Sequence, residues 1–329
     1  MAHANTGSVD RTEQLSELDS LTWLLYSRCA RLASRSLRRS SRALTKLAHR
    51  LGRLSGDLVF VPRPDDIYIV SYPRSGTTWL QMILYQLTTD GGMDFDHITE
   101  FIPFFERALS LGQDLNARKP PRVFKTHLTY GQIPRGPFKY IYVARDGKDV
   151  LTSYFHFHRS HLGFKGTLDD FFQGFVRGKV GYGSWFRHVA EWKKRANDSN
   201  VLFLQYEELA RDLAGWLPKI AAFCGVGIPP GRADEILERC SFAYMKAHES
   251  KFDFMNQVLL ERRFTEGAFI REGKTNSWTG LLTDSQNRLF EEATERWRFA
   301  EASGRRRPKF PKTPHRRQRR QTETPPLTA

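Results

Sequence analysis

An α/β fold, with a central parallel sheet flanked by helices on both faces, is what the sequence predicts, and two observations carry the prediction. Four short runs, Ile67 to Val70, Arg122 to Lys125, Lys139 to Ala144 and Val201 to Gln205, each precede a polar loop or a helical pattern. Near-continuous apolar strands are those buried on both sheet faces, which requires helices above and below. No segment repeats at a fixed period, so solenoids and propellers are excluded.

Taken in order, the first element is a basic amphipathic helix from Arg28 to Leu54. Leu37, Leu44, Leu47, Leu51 and Leu54 recur at three, four or seven residues, and Arg35, Arg38, Arg42, Lys46, Arg50 and Arg53 follow a similar spacing of their own. Its leucines dock on the body or meet an anionic membrane or partner. Residues 1–56 form this N-terminal extension, and Pro62 and Pro64 mark the boundary. The main domain, residues 57–303, opens with the run Ile67 to Val70. That run breaks at Tyr72-Pro73-Arg74-Ser75-Gly76 and continues as a helical stretch from Thr77 to Leu87. Asp146 reads as the N-cap of a later helix with Asp149 in its first turn. A last helix, about Asp284 to Arg298, precedes a basic tail, residues 304–329, too polar to order itself.

Net charge is +15 over 329 residues, and its distribution matters more than its sum. Residues 28–53 and 305–320 each carry nine Lys or Arg and no acid, so the rest of the chain carries a net charge of −3. Anion chemistry in the body therefore depends on a few placed residues. Contact of the basic helix and tail with an anionic membrane or nucleic acid is weak and without sequence readout, and no dedicated nucleic-acid site is expected. Cys29, Cys224 and Cys240 make no C-x-x-C pair, which points away from a disulfide framework and a cysteine zinc site and toward a reducing compartment, the cytoplasm. No run approaches the roughly 20 apolar residues of a membrane span. The Ser/Arg-rich stretch from Ser27 to Ser55 has a transit-segment composition but starts too far into the chain. His156, His158 and His161 are spaced two and three apart on a helix, which spreads their rings over different faces, so no metal is expected.

The segment from Ser71 to Leu80 carries the most chemistry. A loop between a buried strand and a helix aims backbone N–H groups and the positive end of the helix dipole at one point, which suits phosphate or sulfate. Gly76 lets the backbone approach, Thr77 and Thr78 add hydroxyls, and Arg74 adds charge. The loop lacks G-x-x-x-x-G-K-[ST], which argues against a nucleotide kinase. A nonenzymatic anion binder remains a second alternative, prompted by the basic extensions.

Tyr72-Pro73-Arg74-Ser75-Gly76-Thr77-Thr78-Trp79 closely resembles the 5′-phosphosulfate loop of cytosolic sulfotransferases. Further blocks follow in the family's order: Lys125-Thr126-His127-Leu128, Tyr142 to Val150 with Ser153, Gln205-Tyr206-Glu207-Glu208, Cys240-Ser241-Phe242, and Phe269 to Gly273 with Trp278. The resemblance implies a P-loop-like fold and 3′-phosphoadenosine 5′-phosphosulfate as co-substrate without a metal. It also implies transfer of the sulfuryl group to a hydroxyl or amine of a small, apolar acceptor. By the same resemblance, Arg74, Ser75, Gly76, Thr77 and Thr78 hold the phosphosulfate, and Arg145, Ser153, Arg271, Glu272 and Gly273 lie at the 3′-phosphate. Trp79, Tyr206, Ser241 and Phe242 surround the adenine.

The chemistry asks for a base at the acceptor and cations at the leaving oxygen. His127 suits the first role, and Lys125 with Arg74 suits the second. Three departures from the family stand out: Arg74 replaces the commoner lysine, Glu272 stands where a lysine is usual, and the family's K-x-x-x-T-V-x-x-x-E dimer signature is absent before Arg271. Phe101, Phe104, Phe105, Tyr154, Phe155, Phe157 and Phe164 either line an acceptor pocket or fill the core.

Overall fold

The computed structural model describes residues 60–253, 269–271, 273–305, 308 and 310. The basic helix, Glu272 and most of the tail lie outside the described residues. The chain divides into two units, one formed by residues 62–108 and 117–329. The described residues of the other are 60–61 and 109–116, where the Val61 N–H donates to Asn116 Oδ1 at 2.9 Å.

In the larger unit, β1 (Ile67–Ser71), β2 (Val123–Thr126), β3 (Lys139–Ala144) and β4 (Val201–Gln205) pair in the order β2-β1-β3-β4, all parallel. The expected runs thus become the strands, with β1 one residue longer and β2 shifted by one. Side chains alternate across the sheet as the strand period of two demands. Ile67, Ile69, Ile141 and Val143 face one core, where they meet Leu80, Ile83 and Leu84 of α1 (Thr77–Thr88). Leu217 and Ile220 of a later helix (Leu213–Cys224) join them. Alternating with these strand positions are Tyr68, Tyr140 and Tyr142, all buried. Tyr142 stacks on Trp192 with ring centroids 5.3 Å apart.

Short α2 (Phe105–Ser110) precedes β2, and α3 (Gly147–His161), α4 (Leu168–Val176) and α5 (Trp185–Lys193) follow β3. After β4 come α6 (Tyr206–Arg211), α7 (Leu213–Cys224), α8 (Ala233–Arg239), α9 (Phe242–Ala247) and α10 (Asp284–Ala302). Residues of α3, α4, α5 and α10, with Tyr72, share a second core containing Phe172, Phe175, Phe290 and Trp297. Helices therefore flank both faces of the sheet. Asp146 caps α3 as its position suggests, accepting from the Lys148 and Asp149 N–H groups. The last helix runs four residues past Arg298 because Ala300 is buried against the body.

At the N-terminal edge of the sheet, Asp66 and Arg122 form a buried bidentate pair, with Nε to Oδ1 at 2.7 Å and Nη2 to Oδ2 at 2.8 Å. The opposite, C-terminal edge carries the polar loops. Since β1 has β2 on one side and β3 on the other, the direction in which successive strands are added to the sheet switches beside β1. Open α/β sheets bind ligands at such a switch point. Among the described residues, no helix is long and apolar enough to cross a membrane.

Candidate active site

The end of β1 turns sharply into α1. Gly76, the N-cap of α1, has φ of 101°, a conformation open to glycine, and a Cβ there would stand 2.7 Å from Tyr206 Cδ2. Arg74 has φ of 70°, which is strained for a residue with a side chain. Its side chain is held on several sides. Nε donates to Ser153 Oγ at 3.2 Å, Nη2 donates to the Phe269 carbonyl at 2.7 Å, and Cζ lies 5.0 Å from the ring centroids of both Phe157 and Phe269. Burial, then the neighbouring Arg145, bring the Arg74 guanidinium down to about 10, with Arg271 adding to the push and Asp253 opposing it. Three cations converge here, an arrangement that an anion relieves.

The Ser75 hydroxyl and Arg145 Nε are buried and have no hydrogen-bond partner among the described residues. Buried donors of this kind cost free energy unless something accepts from them, so the loop fits a phosphate or sulfate group. Thr77 is committed elsewhere, its hydroxyl paired with Ser71 Oγ at 2.5 Å, while Thr78 sits half-buried on the first helical turn.

Arg145, at the end of β3, donates through Nη1 to the Arg74 carbonyl at 3.2 Å and through Nη2 to the Lys274 carbonyl at 2.8 Å. Its guanidinium lies 4.4 Å from the Tyr206 ring. Asp149 is more than the first-turn acid that its position suggests. Fully buried, it accepts from the Asn276 N–H at 2.8 Å and from Ser277 Oγ at 2.9 Å, and so ties the strip after Gly273 to α3. Its contact with Arg145 is longer, at 4.0 Å.

Aromatic residues gather beside the loop. The Trp79 indole donates to the Cys240 carbonyl at 2.7 Å and meets the Tyr206 ring edge-on at 5.6 Å. Tyr206 donates to the Gly273 carbonyl at 3.1 Å. Ser241 is occupied as the N-cap of α9, accepting from the Tyr244 N–H, and Phe242 stands partly exposed against Gly273. Arg271 is half-buried.

Lys125 and His127 come from the end of β2. The main chain of Lys125 bridges to that of Phe104, which places Glu106 beneath His127, where its Oε1 accepts the His127 N–H at 2.9 Å. His127 Nδ1 lies 2.8 Å from the Ser71 carbonyl. A carbonyl only accepts, so Nδ1 carries the ring proton and Nε2 keeps a lone pair. Phe104 and Tyr182 meet the ring edge-on at 5.3 and 5.1 Å. Burial, with the Lys125 charge second, pushes the imidazole down to about 3, while the Ser71 carbonyl works the other way. Burial, then Arg74, brings the Lys125 ammonium down to about 8, with Glu106 opposing. Behind them, Tyr142 donates to His188 Nδ1 at 2.9 Å, and His188 Nε2 donates to the His127 carbonyl at 3.2 Å.

The four strand ends thus bring together Arg74, Ser75, Gly76, Lys125, His127, Arg145, Ser153 and Tyr206. Of the aromatic acceptor-pocket candidates, Phe104 borders His127 and Phe157 borders Arg74, whereas Phe105, Tyr154 and Phe155 are buried core. Sequence reading missed Glu106, Tyr182, His188 and the anchoring role of Asp149. Only Tyr182 carried a local signal, set between Gly181 and Gly183 with φ of 63°.

A parallel sheet whose first strand ends in a loop with unpartnered buried donors, beside clustered cations and an imidazole, fits a class of proteins that handle anionic groups. The sulfotransferase domain family matches residues 64–304. Sulfotransferase 4A1 of Mus musculus is 32% identical over 252 residues, covering 73% of this chain and 82% of that protein. Sulfotransferase 1A1 of Bos taurus is 35% identical over 243 residues, covering 69% and 81%. Among solved structures, mouse sulfotransferase SULT7A1 complexed with PAP superposes with a TM-score of 0.56 at 30% identity, covering 74% of this chain and 90% of that one. Retinol dehydratase in complex with androsterone and inactive cofactor PAP gives 0.62 at 26%, covering 71% and 81%. The chain belongs to the sulfotransferase family and is a sulfotransferase.

Proposed function

We propose that this enzyme moves a sulfuryl group to the hydroxyl or amine of a small apolar acceptor by in-line displacement, with His127 as general base. The observation that carries the reading is the His127 tautomer, fixed by the Ser71 carbonyl at 2.8 Å, which leaves Nε2 free to take a proton. Its depressed proton affinity keeps the ring neutral at pH 7.

The donor would rest its phosphosulfate on residues 73–79, where the Ser75 hydroxyl awaits an acceptor, and its 3′-phosphate among Arg145, Ser153, Arg271 and Gly273. Trp79, Tyr206 and Phe242 offer faces and edges to the adenine. When bound, it would supply the sulfuryl group: the acceptor's oxygen or nitrogen would bond to sulfur as the bond from sulfur to the bridging oxygen breaks, that oxygen keeping the electron pair and leaving on the 5′-phosphate of the bisphosphate. His127 Nε2 takes the acceptor's proton. Lys125 and Arg74 present positive charge where the leaving oxygen turns negative, in a buried setting that strengthens the attraction. Phe104 and Tyr182 hold the imidazole edge-on and wall the acceptor side. Small apolar acceptors are favoured by these aromatic neighbours; the solved relatives whose titles name androsterone and retinol carry ligands of that kind.

Substituting His127→Ala is expected to abolish turnover while 3′,5′-adenosine bisphosphate still raises the melting temperature as in the wild type. Full activity in the variant refutes the base assignment.

A further inference from the structure

The arginine of the phosphosulfate loop sits in a support built from residues far away in sequence. Phe157 and Phe269 flank the Arg74 guanidinium, each centroid 5.0 Å from Cζ. One side chain touches both of these rings: His161 stacks on Phe157 at 4.8 Å and 15°, and meets Phe269 edge-on at 6.1 Å and 72°. His161 is itself fixed at both nitrogens. Nδ1 bonds Ser160 Oγ at 2.5 Å, and Nε2 bonds Asp253 Oδ2 at 3.1 Å. The His161 and Asp253 side chains are 3% and 1% exposed, so the pair is out of solvent.

The turn that carries Asp253 also holds Phe269's strip. Glu249, four residues earlier, accepts the Ile270 N–H, and the Asp253 N–H returns to the Glu249 carbonyl at 3.0 Å. Phe269 in turn supplies the carbonyl that accepts Arg74 Nη2 at 2.7 Å. A guanidinium is flat and needs its plane fixed to aim its fork, whereas an ammonium is a point charge that swings on a flexible stem. An arginine in this loop therefore gains from walls that a lysine would not use.

We propose that the buried His161–Asp253 pair is a positioning device for Arg74, holding Phe157 and Phe269 so that the guanidinium plane is fixed toward the leaving group. This rests on the reading of residues 73–79 as the phosphosulfate loop. Neither residue touches the reacting atoms, and both act through the two rings. The Asp253 charge also favours the Arg74 cation against the push of Arg145 and Arg271.

The test is a cycle of full-length variants, Asp253→Ala, Asp253→Asn and His161→Gln, each made in the wild type and beside Arg74→Lys. In the wild-type background, Asp253→Ala is expected to lower kcat roughly tenfold with the KM for the donor unchanged, and Asp253→Asn, which keeps an acceptor for Nε2, to restore most of it. Beside Arg74→Lys, the same change is expected to cost less than about twofold. His161→Gln is expected to repeat that background dependence, and it decides the matter if Asp253→Ala does not fold. Equal losses in the two backgrounds overturn the positioning role. Stabilisation by 3′,5′-adenosine bisphosphate is measured on every variant. A wild type that shows none sinks the donor-site reading and this proposal with it, whereas a stabilised wild type with equal losses sinks the proposal alone.

Discussion

Lys125 offers the most exposed prediction, because its charge is both needed for the chemistry and costly to keep. Burial, followed by the Arg74 charge, brings its ammonium to about 8 against an ordinary lysine near 10.5. In the free enzyme, the lysine loses its proton above pH 8, and kcat/KM for the donor should fall about tenfold per pH unit, reaching roughly a thirtyfold loss at pH 9.5. An unperturbed lysine would lose less than about twofold at that pH. On the acid side, His127 at about 3 predicts no limb down to pH 5, where an ordinary histidine would cost about thirtyfold. The assay is initial-rate kinetics from pH 5 to 9.5 with a stable buffer series. Lys125→Arg, whose guanidinium stays charged, should remove the alkaline limb at a lower plateau. The same depression has a consequence for stability, since holding Lys125 charged at pH 7 costs the fold about 3 kcal/mol. Lys125→Met should therefore be inactive and more stable. An alkaline limb that survives in Lys125→Arg, or an acid limb near 6.5, would show that these two side chains are not buried together as described.

Three further outcomes follow from the same geometry. Gly76→Ala forces a Cβ into the Tyr206 ring at a positive φ, so thermal melting should show a loss of about 1–3 kcal/mol, accompanied by weakened bisphosphate binding. Asp66→Asn breaks the buried pair with Arg122 and should cost about 3–5 kcal/mol by urea unfolding, whereas Asp66→Leu with Arg122→Leu should recover most of that loss. Asp149→Ala frees the Asn276 N–H and the Ser277 hydroxyl, which should cost about 3 kcal/mol and loosen the strip beside Arg145. Calorimetry with 3′,5′-adenosine bisphosphate should then report weaker binding, and unchanged affinity would refute the anchoring role of Asp149.

His127 shows how far the linear chain could be read. Its block and its place just after a strand marked it as a base candidate, but the proton's position depends on the Ser71 carbonyl, 56 residues away in sequence. Glu106, which holds the His127 main chain, lies in a stretch with no local signal, and it arrives there through the Phe104 to Lys125 bridge. The same holds for Arg74. Its departure from the usual lysine was visible, yet the aromatic walls and the His161–Asp253 pair that accommodate it come from three distant segments. His156, His158 and His161 invited comparison as a trio, and the fold separates them: His161 turns to Asp253 while His158 sits edge-on to Tyr154 at 4.5 Å.

By itself the sequence determined the α/β class, the four strands, the cap of α3, and the loop after β1. These depend on patterns local to the chain, the period of alternating side chains and the chemistry of a turn, which operate over a few residues. Tertiary structure alone decided the strand order, the His127 tautomer, the anchoring of residues 276 and 277 by Asp149, and the setting of Arg74. Each of these is a desolvated contact between segments far apart in sequence, and burial, which sets both its energy and its protonation state, exists only once the sheet has brought the strand ends together.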